Sequence, residues 1–249
     1  MRIAFFTDLH TNTSGETPHG VDVRKNFQRI LQEVKACNPD YIWIGGDLCF
    51  KEPRREIYEW QHKLLEALEI PYRIIAGNHD ESRMLCEVFV DQQPFLREGE
   101  MYWSEKLGDD LTVFFLDSSQ GMMSRHQKAW LSKHAQDSGR NIVLIHHPPS
   151  IMHIPFMDNN HRLRDHEEVL GILQGFRSPP YVLSGHYHVD KCTQIGQVFI
   201  RIVPSCYFQL RGDRTEFAVD HYHIAFGVLD VYSDRIETTI RYLYDRQAD

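Results

Sequence analysis

Short apolar runs alternate along most of the chain with segments whose apolar residues recur at helical spacing. This alternation predicts β-α-β units. In Val21–Cys37, for example, Val21, Phe27, Ile30 and Val34 would share one face of a helix. The predicted strands up to residue 190 are Ile3–Thr7, Tyr41–Ile44, Tyr72–Ala76, Met101–Glu105, Leu111–Leu116, Asn141–Ile145 and Tyr181–Leu183. The predicted helices are Val21–Cys37, Arg54–Leu68, Ser82–Val90, Ser124–Gln136 and Asp165–Gln174.

The pattern changes after residue 190, where helical periodicity disappears. Four strands, which we expect to be antiparallel, follow at Thr193–Ile195, Val198–Val203, His223–Val231 and Arg235–Tyr244. One mixed sheet and one antiparallel sheet, with helices on their outer faces, would bury this α/β pattern. Because no repeat or Pro/Gly linker divides the sequence, residues 1–249 are predicted to form a single domain.

Composition narrows the range of functions. The chain has 249 residues, 42% of them apolar, and a net charge of −8 with acids and bases interspersed. A partner such as a nucleic-acid duplex is therefore disfavoured, because such binders normally carry a basic stripe. The five scattered cysteines predict neither a disulfide framework nor a thiolate zinc site. No signal peptide or membrane-length apolar run is evident, so we expect a cytoplasmic protein without a membrane partner.

Chemically versatile side chains cluster just after the predicted parallel strands. The five segments that follow these strands are Asp8–His10, Gly46–Asp47, Gly77–Asp80, His146–Pro149 and Gly185–His188. They contain six of the fifteen histidines, which is too concentrated a distribution to attribute to chance. Ligands of open α/β sheets collect beyond the carboxyl ends of strands, so we expect these segments to converge at one sheet edge.

Histidine and carboxylate side chains without thiolates suit Zn²⁺, Mn²⁺, Fe or Co rather than Ca²⁺. In extended backbone, residues two apart point to the same side, so Asp8 and His10 are predicted to hold one ion together. His186 and His188 have the same spacing. Each segment alone also fits an ordinary turn or a hydrogen-bonded structural histidine. The ordered set of five favours a metal centre.

These five segments, in this order, resemble the signature of the calcineurin-like metallophosphoesterases. The resemblance runs from residue 1 to about residue 190. It implies a four-layer α/β/β/α sandwich in which two central mixed β-sheets are flanked by helices. It also implies two transition-metal ions, drawn from Mn²⁺, Fe²⁺/Fe³⁺, Zn²⁺ and Co²⁺, and a hydroxide shared by them as the nucleophile.

The resemblance also assigns roles to individual residues. One ion would be held by Asp8, His10, Asp47 and His188, and the second by Asp47, Asn78, His146 and His186. Asp47 would bridge the two ions and so act in catalysis. His79, the other catalytic candidate, would contact the phosphoryl group or protonate the leaving oxygen, or else serve only as a structural donor. His147 is expected to be structural, and Asp80 to orient a neighbour.

Within this family the chain is most similar to the bacterial class III cyclic-nucleotide phosphodiesterases and glycerophosphodiesterases. Phe50 stands where purple acid phosphatases have a metal-binding tyrosine. His153 and Val189 depart from the group's usual glycine and arginine. Asn78 and His79 are expected to contact the substrate, and the further candidates for substrate binding are His153, Phe156, His161 and Arg164, although loop packing explains these four equally well.

The resemblance implies hydrolysis of a small phosphodiester of the cyclic-nucleotide or glycerophosphodiester type. A phosphomonoesterase of the same fold is the nearest alternative, and a nuclease ranks third. A non-catalytic scaffold of this fold is the rival from another class, disfavoured because no expected ligand is replaced. The stretch 205–222 would be a cap or dimer contact, or a long surface loop, which leaves a homo-oligomer open.

Overall fold

The structure is a computed structural model that describes residues 1–136 and 139–244. Its strands are β1 Arg2–Phe6, β2 Tyr41–Ile44, β3 Tyr72–Ile74, β4 Leu96–Arg97, β5 Glu100–Met101, β6 Trp103–Lys106, β7 Leu111–Leu116, β8 Arg140–Ile145, β9 Tyr181–Ser184, β10 Lys191–Ile195, β11 Val198–Ile202, β12 Gln209–Leu210, β13 Val219–His221, β14 Ile224–Val231 and β15 Ile236–Leu243. Its α-helices are α1 Val23–Ala36, α2 Arg55–Glu66, α3 Ser82–Val88, α4 Arg125–His134, α5 Pro155–Asn160 and α6 His166–Gln174. Short 3₁₀ turns span Pro18–Gly20 and Val90–Phe95.

Two mixed sheets form the centre of the protein. The first has the strand order β15-β14-β1-β2-β3, with β1, β2 and β3 parallel and β14 antiparallel to β1. The second has the order β10-β11-β9-β8-β7-β6, with a parallel core of β7, β8, β9 and β11. The two mixed sheets flanked by helices agree with the four-layer sandwich that the family resemblance implied.

The expectation of a separate antiparallel sheet at the C-terminal end was wrong. The hairpin β10–β11 joins the second sheet, where β11 runs parallel to β9, while β14–β15 joins the first sheet beside β1. Local turns specify each hairpin, but the sheet to which a hairpin adds depends on contacts with strands far away in sequence. A hydrophobic pattern read along the chain carries no such information.

Alternation along β7 shows how the layers are separated. Val113 and Phe115 point into a core cluster that also contains residues of β1, β2, α1 and α2. Phe114 and Leu116 point into a second cluster, shared with α4 and α6. Phe115 meets Trp43 of β2 edge to face, with ring centroids 5.8 Å apart. Each large side chain buried in this way contributes about 1.5–3 kcal/mol to stability.

Several short features were absent from the predicted elements: the β4–β5 pair, the two 3₁₀ turns, the helix α5 and the small β12–β13 pair within the stretch 205–222. Helix α5 and the β12–β13 pair lie close to the candidate site described below. All five cysteines are free thiols, and four of them are buried. Within the described residues, no helix has the length and apolar character needed to cross a membrane.

Candidate metal centre

The five polar segments meet between the two sheets. β1, β2 and β3 of the first sheet deliver Asp8, Asp47 and Asn78, while β8 and β9 of the second deliver His146 and His186. The expectation of convergence at the edge of one sheet was therefore wrong. Hydrogen bonds join the two sets directly, since the backbone N–H of His186 donates to the Asp8 carboxylate at 3.0 Å.

The backbone at the site is unusual in a specific way. Asp8, His10, Asp47, His186 and His188 all have positive φ, between 43° and 66°. Residues other than glycine seldom adopt this left-handed backbone conformation. It is found mostly at functional sites, where the surrounding structure enforces it. The expectation that the backbone is extended at Asp8/His10 and at His186/His188 was therefore wrong. Left-handed turns, rather than a strand pleat, aim these side chains.

Two glycines are required by close approach. A Cβ at Gly77 would lie 2.2 Å from Asp47 Oδ1, and a Cβ at Gly185 would lie 2.2 Å from Thr7 Oγ1. Non-bonded heavy atoms do not approach a Cβ this closely, so any side chain at either position would displace a loop that follows a strand. The two glycines therefore allow the Asp8 and Asp47 loops to pack against their neighbours.

The ligand atoms form a compact cluster around Asp47. Asp8, His10 and His188 form one group whose nitrogen and oxygen atoms all lie within 4.8 Å of one another, and Asp47, His146 and His186 form another. Asp47 Oδ2 lies 3.6 Å from His10 Nε2 and 3.4 Å from His146 Nε2, so one carboxylate faces both groups. A third group, made of His10, Asp47 and His79, overlaps the first two.

Backbone carbonyls fix the tautomers of three histidines. The Nδ1 atoms of His146 and His188 lie 2.7 Å from the Gly45 oxygen and 3.0 Å from the Phe208 oxygen, while His186 Nε2 lies 2.8 Å from the His161 oxygen. A carbonyl only accepts, so each of these nitrogens carries the proton. The other ring nitrogen of a neutral imidazole is then left with a lone pair for a cation.

Unpaired atoms at the site fit a cation. The Nε2 atoms of His10 and His188 lie 3.0 Å apart, and because His188 Nδ1 donates to the Phe208 oxygen, His10 Nε2 is the donor between them when the His188 ring is neutral. The buried Nδ1 of His10 is then left without a hydrogen bond among the described residues. His146 Nε2 is buried and makes no hydrogen bond among the described residues, although Asp47 Oδ2 is nearby. Buried polar atoms normally have partners. Bound transition-metal ions would satisfy these nitrogens, and the N/O donor set suits such ions.

The electrostatics of the cluster point the same way. Burial is the main cause that lowers the pKa of both His10 and His186 to about 3, which leaves their imidazoles neutral. Burial also opposes a charge on His146, but the Asp47 carboxylate outweighs it and raises the pKa of His146 to about 9. Burial likewise opposes the charge of Asp47, yet His146 and His10 hold the pKa of Asp47 well below its usual value. The buried negative charge thus attracts a cation, whether a proton or a metal ion.

Asp80 does not line the cavity over the cluster, but its hydrogen bonds hold the loops that carry Asp47 and Asn78. Its carboxylate accepts hydrogen bonds from the backbone N–H groups of Leu48, Cys49 and Gly77 and from the Tyr58 hydroxyl, at 3.0–3.3 Å. Burial and the negative charge of Asp47 raise the pKa of Asp80 to about 6. One side chain therefore ties the loop after β2 to the loop after β3.

The remaining motif residues surround this cluster. The His79 side chain is 29% exposed, its Nδ1 lies 2.9 Å from the Lys51 oxygen, and its Nε2 lies 3.9 Å from Asp47 Oδ2. Asn78 is exposed and lines the cavity beside it. His147 is buried, and its Nδ1 lies 2.9 Å from Ser118 Oγ, outside the potential ligand groups found among the described residues.

A cavity of about 280 Å³ opens over the cluster. Of the four further candidates for substrate binding, Phe156 and His161 line it. Arg164 instead lines a neighbouring polar cavity of about 400 Å³ that His161 and His186 also border. His153 is exposed and is not among the residues that line either cavity.

Sequence reasoning missed much of the cavity wall. His19, Phe50, Tyr207, Phe208 and Phe217 all line the cavity. The sequence marks Phe50 only as a residue that cannot bind metal, and it predicts that residues 205–222 form a cap, a dimer contact or a long surface loop. The run of aromatic side chains in an otherwise polar stretch was the available signal.

Asp158 connects this wall to the metal-binding motif. Its carboxylate accepts from the backbone N–H groups of Met152 and Ile154 at 3.1 and 2.7 Å, and from the Tyr187 hydroxyl at 2.9 Å. Tyr187 lies between His186 and His188 in sequence. Asp158 therefore holds the start of α5, which carries Phe156, in a fixed position relative to both histidines.

Comparison with known proteins agrees with this geometry. The family model described as calcineurin-like phosphoesterase matches residues 1–190. A probable cyclic nucleotide phosphodiesterase of Fibrobacter succinogenes is 27% identical over 220 residues, covering 88% of this chain and 85% of that protein. A glycerophosphodiester phosphodiesterase of Enterobacter lignolyticus is 27% identical over 226 residues, covering 84% of this chain and 79% of that protein.

Solved structures share the fold. A dimetal phosphatase from Danio rerio superposes with a TM-score of 0.73, covering 97% of this chain and 96% of that one, at 13% sequence identity. Sequence similarity this low shows the common architecture alone. The relatives belong to the two diesterase classes to which the five motifs were similar, so the resemblance drawn from the sequence is confirmed.

Proposed function

The chain belongs to the calcineurin-like phosphoesterase family, and we propose that it hydrolyses a small phosphodiester at a centre of two transition-metal ions. The observation that carries the proposal is the set of histidine lone pairs around Asp47. Backbone carbonyls hold His146, His186 and His188 in the tautomers that leave these lone pairs free. In a purely structural histidine cluster, such buried lone pairs would be expected to accept hydrogen bonds, whereas His146 Nε2 accepts none among the described residues.

In this proposal the ligands divide as the motifs suggest. Asp8, His10 and His188 would hold one ion, His146, His186 and Asn78 would hold the other, and Asp47 would contribute to both. When bound, two such ions would polarise the phosphoryl oxygens and lower the pKa of water to make a nucleophile. Candidate ions are Mn²⁺, Fe²⁺/Fe³⁺, Zn²⁺ and Co²⁺, because nitrogen and oxygen donors accept all of them.

We propose that His79 serves the leaving group. Because its Nδ1 is engaged by the Lys51 carbonyl, the ring presents Nε2 to the cavity. In the protonated ring, Nε2–H donates a hydrogen bond to a phosphoryl or ester oxygen and passes its proton to the departing alkoxide. Asn78 lies next to it and offers amide N–H donors to the same phosphoryl group.

The charge of the cavity favours a diester over a monoester. Among the described residues that line it, Lys51 is the only lysine or arginine, and most of the others are aromatic rings or histidines. A dianionic monoester would gain more from additional cationic side chains than a mono-anionic diester does. Arg162 and Arg164 line the neighbouring cavity instead.

The direct test compares bis(p-nitrophenyl) phosphate with p-nitrophenyl phosphate, using protein supplied with Mn²⁺. We expect a kcat/KM for the diester at least about tenfold above that for the monoester, a difference of about 1.4 kcal/mol in transition-state stabilisation. A marked preference for the monoester would instead identify a phosphomonoesterase of the same fold.

Two variants assign that turnover to this site. Asp47→Ala should reduce turnover by a factor of at least about 10³, since it removes the carboxylate shared by both groups. Asp234→Ala, which removes an exposed carboxylate on the β14–β15 turn, is the matched control and should retain the wild-type rate. Equal activity of Asp47→Ala and wild type would contradict the assigned centre. Absence of diester turnover and of Mn²⁺ binding in the wild type would favour a scaffold.

We also propose a cytoplasmic location, because five free cysteines suit a reducing compartment. A role of the stretch 205–222 in forming a homo-oligomer remains a prediction.

A further inference from the structure

The polar cavity of about 400 Å³ adjoins the cavity that lies over the candidate metal centre. Asn78, His161 and His186 line both cavities, so the two share a boundary. The lining of the polar cavity includes two arginines, Arg162 and Arg164, and none of the described residues around it is Asp or Glu. We call it the arginine cavity.

The charge of the arginine cavity differs from that of the protein as a whole. The chain has 35 acidic residues against 27 lysines and arginines. Several guanidinium groups elsewhere are paired with carboxylates: those of Arg2, Arg73 and Arg201 lie 2.8, 2.5 and 2.6 Å from carboxylate oxygens. Within the part of the chain that the structure describes, neither Arg162 nor Arg164 forms an ion pair; their guanidiniums contact backbone oxygens instead. Two positive charges therefore border one cavity without an acidic partner.

Backbone carbonyls hold both guanidiniums in place without neutralising them. Arg162 Nη1 donates to the Asp158 backbone oxygen at 2.8 Å, and Arg164 Nη2 donates to the Gln120 backbone oxygen at 2.6 Å. The backbone N–H of Arg164 also donates to the Gly121 oxygen at 3.0 Å, which ties residue 164 to the loop that lines the same cavity. Each guanidinium has five N–H groups, so most of its donors remain available. The two arginines are thus preorganised to bind an anion.

We propose that the arginine cavity binds a second anionic group of the substrate, a carboxylate or a phosphate carried on one alcohol arm of the diester. The physiological substrate then has one negative charge on the scissile phosphodiester, at the Asp47 cluster, and at least one more at Arg162 and Arg164. The inference rests on the proposed phosphodiesterase function and selects one class of its substrates.

The chemistry of the two arginines separates an anionic arm from a neutral one. The planar guanidinium matches the paired oxygens of a carboxylate or phosphate and binds them through charge-assisted hydrogen bonds. A hydroxyl or amide on the same arm gains no such bond. A diester whose only charge is on the scissile phosphate would leave both guanidiniums to water. An arm that ends in an anionic group therefore uses the cavity best.

The test measures equilibrium binding and does not depend on turnover. We would titrate the Mn²⁺-loaded protein with 3-phosphonopropionate, 4-phosphonobutyrate and 5-phosphonopentanoate, in which a phosphonate for the metal centre is joined to a carboxylate by chains of increasing length. Each is compared with its carboxamide, which has the same shape but lacks the second charge. At the chain length that spans the two cavities, the wild type should bind the carboxylate at least about tenfold more tightly.

Two bisphosphonates distinguish the two possible anionic groups. Propane-1,3-bisphosphonate and butane-1,4-bisphosphonate present a second phosphonate where the first series presents a carboxylate. A larger gain over the carboxamides for the bisphosphonates identifies a phosphate as the second group, and a larger gain for the carboxylates identifies a carboxylate.

Variants assign the preference to the arginine cavity. Arg164→Gln should bring the ratio of carboxylate to carboxamide affinity close to one by weakening the carboxylate alone, and an unchanged carboxamide affinity shows that the site is intact. Arg164→Lys, which keeps the charge but loses the planar fork, should retain part of the ratio. Arg83→Gln is the matched control, because it removes an exposed guanidinium on α3 that lines neither cavity, and it should leave the ratio unchanged.

Three results would overturn the inference. The first is equal affinity of the wild type for carboxylate and carboxamide at every chain length. The second is an Arg164→Gln variant that weakens both ligands alike, because Arg164 would then act on the phosphoryl group itself or on the loop. The third is a ratio that persists in Arg164→Gln, which would place the carboxylate at the metal ions.

Failure of this inference can be told apart from failure of the proposed function. If the affinity ratios behave as expected but no diester is hydrolysed, the anion site stands and the phosphodiesterase assignment falls. If diesters are hydrolysed but the ratio is absent, the anion site alone falls.

Discussion

At the scale of single residues, the centre depends as much on hydrogen-bond partners as on ligands. The carbonyls of Gly45, His161 and Phe208 set the tautomers of three histidines, and Asp80 holds two loops through four donors. A carboxylate is suited to such a position because it accepts without donating. An asparagine at this position would replace one accepting oxygen by an NH₂ group, which would then face N–H or O–H donors with which it cannot form hydrogen bonds.

Asp80→Asn should therefore destabilise the fold by about 2–3 kcal/mol, since hydrogen bonds to a charged group are strong and their donors would be left buried. It should also weaken Mn²⁺ binding, because the Asp47 and Asn78 loops lose their shared anchor. Chemical denaturation and metal titration measure the two effects. Tyr58→Phe removes one of the four donors and should lower the free energy of unfolding by less. If Asp80→Asn left both stability and Mn²⁺ binding unchanged, the loops would have to be held in another way.

At the scale of elements, α5 connects the wall of the candidate cavity to the histidines proposed as metal ligands. It is only six residues long, and an isolated helix of that length would not be stable in water. The Asp158 carboxylate supplies what the helix lacks, by binding the backbone of Met152 and Ile154 on one side and Tyr187 on the other. These three bonds, together with the hydrogen bond that the Phe156 N–H donates to the Arg214 oxygen at 3.0 Å, hold Phe156 in position.

Asp158→Asn should raise KM for the diester several-fold and lower stability by about 1–3 kcal/mol, because at least one buried donor loses its acceptor. A larger change in KM than in kcat is the expected signature of a residue that positions the wall. Tyr187→Phe, which removes one of the three bonds, should show a smaller change of the same kind. An unchanged KM in Asp158→Asn would contradict this role.

The elements also show how much could be predicted from the sequence. Strands such as β2 and β7 were predicted with their observed bounds, because their apolar runs end sharply at polar or turn residues. Helix α5 and the β12–β13 pair were not predicted. Each is too short to show a periodic pattern, and each is stabilised by a partner far away in sequence. In α5, Asp158 accepts a hydrogen bond from Tyr187, and in β12, the Leu210 N–H donates to the His188 oxygen. Short elements of this kind cannot be read from local pattern.

At the scale of the whole molecule, each sheet contributes part of the candidate metal centre. Asp8, Asp47 and Asn78 follow strands of the first sheet, while His146 and His186 follow strands of the second. The sequence identified these residues through the strand-end rule, but not the fact that two sheets supply them, since strand pairing across long separations leaves no local trace. Ions bound between the sheets would bind only the folded protein and so stabilise it, by about 2.7 kcal/mol at a hundredfold excess over Kd.

Metal content measured by elemental analysis, after Mn²⁺ loading and gel filtration, tests the central claim most directly. We predict two ions per wild-type chain together with a raised melting temperature. Asp47→Ala should retain at most one ion, and Asp234→Ala should retain both. A wild-type chain that is folded and yet binds one ion or none, with an unchanged melting temperature, would contradict the binuclear centre proposed for this protein.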